Sequence, residues 1–171
     1  MTTEDKRHVA SRNHRTEPRT EPRSGHRTGL RGAHEHAAHR TPVLVGIAFG
    51  LAQAAAPLVI WWLTPSAVQS ILLVLIAAIY IGFAVADGRP KVIAAESAVV
   101  AAFLTLAVAA VTSTAWLLVV GYAAHGAKDY WQHRTHFVRG IRWWPPYCAA
   151  VDITLAIVLT IQILAGVRFG S

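Results

Sequence analysis

Hydrophobic positions are distributed very unevenly along this chain. Residues 1–40 are polar and show no apolar periodicity, whereas long aliphatic and aromatic runs recur from Val43 onward, separated by short polar breaks. A run of about 20 apolar residues matches the roughly 30 Å hydrocarbon core of a bilayer. Five such runs predict five transmembrane helices, at about 43–63, 70–86, 92–111, 115–133 and 147–167. The fold class expected is therefore an all-α integral membrane protein. A five-helix bundle fills residues 41–171, and a disordered tail, residues 1–40, precedes it.

The breaks carry their own signals. Pro57 falls inside the first apolar run; it removes a backbone donor and should kink the helix, freeing the carbonyl of Gln53. Gly46, Gly50 and Ala54 recur at fourth positions and give that helix a small-residue face for close packing. The stretch from Thr64 to Gln69 reads as a short uncharged link. Gly88 and Pro90 turn the chain after the second run. Thr112-Ser113-Thr114 must be a break, because an unbroken helix from 92 to 125 would be about 50 Å long. Pro145 and Pro146 suit the entrance of the last helix.

Charge changes this picture in two ways. The chain carries a formal net charge of +7, with nine Lys/Arg, five Asp/Glu and six His in the first 40 residues. In a soluble protein that balance would point to nucleic acid. Here the positive charge lies in the tail and beside apolar runs, so no nucleic acid is expected. The expected partners are the bilayer and anionic lipid headgroups at the cytoplasmic face, met by Lys128, Arg134, Arg139 and Arg142. Charge also sets orientation. With the N-terminus cytoplasmic, the tail, Arg89, Lys91 and those four residues share one side, and only Arg168 lies on the other. The C-terminus is then external. Arginine outnumbers lysine and alanine is abundant, which fits a bacterial plasma (inner) membrane. The single cysteine, Cys148, allows no internal disulfide and reads as a small packing residue.

Candidate chemistry is concentrated between His125 and His136. Outside the tail the chain has three histidines, all in that stretch, and four acids: Asp87, Glu96, Asp129 and Asp152. At about 100° per residue, His125, Asp129, His133 and His136 share one helix face. His125 and His133 are about 12 Å apart along the axis and cannot share one ion. One ion could instead take two residues of this face plus Glu96 or Asp152, or two ions could flank Asp129. Nitrogen and carboxylate donors suit zinc, iron or manganese. In an enzyme, Glu96 or Asp152 would be a ligand or the general base for metal-assisted hydrolysis or oxidation of a lipid-like substrate. Otherwise the same groups form an ion-pair network near the cytoplasmic face. The spacing resembles the histidine boxes of membrane fatty-acid hydroxylases and desaturases. Those families carry several boxes and this chain one, so no residue role is carried over.

Overall fold

A computed structural model describes residues 27–140 and 142–170, with side chains from Arg40 onward. Most of the tail expected to be disordered lies outside the described residues. The described chain is helical throughout, in the order α1 (Arg27–Ala54), α2 (Ala56–Val59), α3 (Pro65–Asp87), α4 (Pro90–Thr112), α5 (Trp116–Thr135) and α6 (Trp144–Leu164). Four segments are long and apolar enough to cross a membrane: 40–59, α3, α4 and α6. The remaining long helix, α5, matches them in length but carries the polar stretch. It packs against α6, α4 and α3 and completes a five-helix membrane bundle.

Local chemistry explains the boundaries. Pro57 interrupts the first span, so α1 ends at Ala54 and a single turn, α2, follows. The Gln53 carbonyl freed there accepts a hydrogen bond from the Gln69 side chain of α3 at 3.3 Å. The expected link from Thr64 to Gln69 is mostly helix instead. Thr64 caps α3 through the Ala67 amide, and Pro65 occupies its first turn, where a missing N–H costs nothing. Gly88 closes α3 in the left-handed conformation (φ 77°). Pro90 then starts α4, and Pro145 and Pro146 enter the first turn of α6. That helix begins at Trp144, three residues before the start expected from hydropathy, because proline at a helix entrance extends it.

The small-residue face of α1 meets α6. An added β-carbon at Gly46 would lie 2.5 Å from the Tyr147 carbonyl oxygen, and one at Gly50 would lie 2.9 Å from that of Val151. Backbones this close gain dispersion contacts along their length, which is how helices associate where lipid supplies no hydrophobic drive. Large apolar side chains such as Leu44, Leu58, Leu75 and Ile161 point outward, as a lipid-facing surface requires. Both ends of the bundle are tied. Ser66 bonds the Phe169 and Gly170 carbonyls at one end. At the other, Asp87 holds Arg89 and the Arg139 amide, and Arg89 reaches the Phe137 carbonyl.

Candidate cation site in the bundle interior

The buried stripe of α5 runs through Leu118, Tyr122, His125, Asp129 and Gln132. Its upper part is apolar packing and its lower part is polar. Gly126 sits beside His125 and lets α6 approach. A β-carbon there would touch Ile153 at 3.1 Å and the Asp152 β-carbon at 3.3 Å. That close approach brings a carboxylate from α6 onto the histidine of α5.

His125 Nδ1 lies 2.7 Å from Asp152 Oδ2 and 3.6 Å from Asp129 Oδ2. All three side chains have no solvent exposure. Donor atoms from the three residues lie within 4.8 Å of one another. Aromatic rings frame the histidine: Phe103 of α4 at 5.0 Å and Tyr80 of α3 at 6.0 Å between centroids, both edge-on. The Tyr80 hydroxyl lies beside Asp129 but makes no well-formed hydrogen bond. Both oxygens of Asp129, Oδ1 of Asp152 and Nε2 of His125 are likewise buried without a hydrogen-bond partner. Buried polar atoms left over in this way normally signal a water, a proton or an ion.

A second polar group lies one turn toward the α5 C-terminus. Lys128 Nζ is 2.8 Å from Glu96 Oε2 and sits 3.6 Å over the Tyr80 ring. The Gln132 amide donates to the other Glu96 oxygen. Glu96 is thus held by one full charge and one hydrogen bond, and Lys128 is already engaged. Three buried carboxylates therefore face one largely buried lysine, which Glu96 engages, while Asp129 and Asp152 share the imidazole of His125.

The residues singled out by spacing divide accordingly. His125, Asp129 and Asp152 come together. His133 and His136 do not join them: their rings lie 6.5 Å from each other along the wall of a surface cavity. His133 is two turns beyond His125, about 12 Å along the axis, and for His136 the reason is that α5 stops at Thr135. His136 is its cap with φ 52°, so the helical projection that put it on the same face no longer holds there. Lys128 points inward to Glu96, not to the headgroup layer. Arg134 folds over Tyr130, with Nη2 2.7 Å from its hydroxyl. Arg139 and Arg142 line the cavity. Cys148 is buried, as a packing residue should be. Tyr80, Phe103 and Gln132 escaped the sequence reading. Gln132 could have been found seven positions after His125 on the same stripe, whereas Tyr80 and Phe103 sit in apolar runs that give no sign of what they face.

Depth also differs from expectation. His125 is the tenth of the 20 residues of α5, and Asp152 the ninth of the 21 in α6. His125 and Asp152 therefore lie near mid-bundle, while Asp129, Lys128 and Glu96 lie toward one end. The early start of α6 accounts for the depth of Asp152.

Above the group the buried polarity continues. The Tyr122 hydroxyl donates to the Gln69 carbonyl at 2.9 Å, and Gln69 reaches Gln53. Chemically the centre offers one imidazole and two carboxylates in a water-poor frame, a donor set that a proton or a metal ion could bridge. No family model matches the chain, and no curated protein or solved structure is significantly similar to it.

Proposed function

We propose that this multi-pass membrane protein binds a divalent cation, of the zinc, iron or manganese type, through His125, Asp129 and Asp152. One observation carries the reading: two fully buried carboxylates with orphaned oxygens converge on one imidazole, and among the described residues the neighbouring lysine, Lys128, is already paired with Glu96. Leaving such charges unpaired costs several kcal/mol per ion. Size agrees. Bond lengths of about 2.0–2.2 Å put neighbouring ligand atoms roughly 2.9–3.5 Å apart. The separations of 2.7 and 3.6 Å straddle that range, so small side-chain rotations would admit an ion. The ion would replace the proton that Nδ1 shares with Asp152.

Three protein ligands leave coordination positions open, which suits metal-assisted hydrolysis or oxidation of a lipid-like substrate. Asp152 then serves as a ligand. Glu96, tied to Lys128 and Gln132, serves as a charge partner and not as the general base. The ion-pair reading holds for that neighbouring group, where the Glu96–Lys128 distance of 2.8 Å favours it. The orientation belongs to the same proposal: N-terminus cytoplasmic and C-terminus external in a bacterial inner membrane, supported by the placement of arginine and lysine.

The test is metal analysis of the full chain, purified in detergent through a tag without histidine. Wild type should carry about one more equivalent of metal per chain than His125→Gln or Asp129→Asn. Added metal should raise its melting temperature and leave theirs unchanged. The comparison cancels whatever the six tail histidines bind. Equal metal content in all three proteins would overturn the proposal.

A further inference from the structure

The end of the bundle nearest Glu96 and Lys128 holds a cavity of about 390 Å³, between the last turns of α3 and α5 and the first of α6. Its polar wall comes from Gln132, His133, His136, Arg139 and Arg142, with no acid among the lining residues. Asp87, at the end of α3, is closed off by Arg89 and the Arg139 amide. The cavity is therefore built for an anion, at the level where lipid headgroups lie.

Trp144 forms part of its other wall, and two apolar grooves meet the cavity at that residue. One, about 490 Å³, runs past Pro42, Val45 and Tyr147 between α1 and α6. The other, about 200 Å³, runs past Phe49, Ile76 and Cys148 to Val151, about 10 Å deeper along α6. The Trp144 indole Nε1 is buried and has no hydrogen-bond acceptor, a donor left over on the residue that lines all three spaces. One basic chamber and two apolar tracks that descend from it have the outline of a single amphiphile. A free phosphate would leave both tracks empty.

We infer that this cavity holds the phosphate headgroup of one anionic diacyl phospholipid, its chains lying in the two grooves on either side of Trp144. Arg139 and Arg142 supply the charge, and the indole N–H the directional contact. This site is distinct from the His/Asp/Asp centre. Tyr80 and Gln132 stand between them, so the two proposals fail separately.

The experiment is native mass spectrometry of the full chain in neutral detergent, titrated with phosphatidylglycerol, phosphatidylcholine or inorganic phosphate. Wild type should retain one phosphatidylglycerol per chain in preference to phosphatidylcholine, and phosphate should neither bind nor compete. The double variant Arg139→Gln/Arg142→Gln should lose about thirtyfold in affinity, roughly fivefold per arginine. Arg134→Gln, which alters a surface charge outside the cavity, should bind as wild type does. Asp129→Asn should also keep the lipid even where it loses the metal. Unchanged thermal unfolding of the double variant without lipid shows that it folds; should it not fold, the single variants Arg139→Gln and Arg142→Gln take its place and should each weaken binding about fivefold. Equal retention of both lipids, displacement by phosphate, or equal losses in the Arg134 and cavity variants would overturn the inference.

Discussion

Replacing Lys128 with Met should cost more than any exposed charge in the chain. The side chain is 13% exposed and that of Glu96 only 2%, with 2.8 Å between the charged atoms. At an effective dielectric of about 20, an attraction across that gap is worth roughly 6 kcal/mol. Part of it offsets the desolvation of both groups in the wild type. Removing one partner of such a buried pair leaves the other stranded, which typically costs about 3–5 kcal/mol. The Gln132 hydrogen bond to Glu96 survives the change, so the lower part of that range is expected. Methionine keeps a side chain of similar length, but the cation over the Tyr80 ring is lost together with the ion pair. Equilibrium unfolding in mixed micelles measures it. Glu96→Gln combined with Lys128→Met should recover most of the loss, since neither half is then charged. A single-variant loss below about 1 kcal/mol would show the pair behaving as a surface ion pair and refute the burial argument. A double variant no better than the single would refute the pairing.

Gly46→Ala should separate α1 from α6, because its β-carbon would lie 2.5 Å from the Tyr147 carbonyl oxygen. A loss of about 1–3 kcal/mol in the same unfolding assay is expected, and a neutral result would mean the helices do not pack this closely. Reporter fusions test the five-span arrangement: one in the loop around Arg139 and one after the C-terminus should report opposite sides of the membrane, and agreement between them would sink it.

Much of this architecture could be read from the chain, for a plain physical reason. A bilayer demands long apolar runs; four are visible, and the remaining helix shows as a shorter apolar run that leads into the polar stretch. Proline chemistry at Pro57 and the glycine face of α1 also followed from local rules, down to the freed Gln53 carbonyl. The boundaries were less legible. Hydropathy marks where a helix meets lipid, while helix starts are set by residues such as Thr64 and Pro145 that lie outside the apolar run. The site was half legible. His125 and Asp129 announced themselves by spacing on one helix. Pairing with Asp152 depends on how closely α6 approaches at Gly126, a tertiary fact that spacing cannot encode. His136 was misplaced because a helical projection assumes the helix continues, and the chain turns left-handed at that residue.

The polarity of α5 bears on how the protein is made. Charged residues near the centre of a lone helix oppose its insertion by about 2.5–3.5 kcal/mol each. Lys128, Asp129 and a buried histidine are a heavy load for a helix with so short an apolar stretch. Its most extensive contacts are with α6, which is synthesised after it. As the ribosome releases the chain, Glu96 of α4 is already present for Lys128, but His125 gains its carboxylate partner only when α6 arrives with Asp152. Entry of the two as a hairpin, with their polar faces turned toward each other, would spare α5 the cost of inserting alone. A nascent chain stopped near Gly140 would leave α5 without that partner, exposed to quality-control proteases.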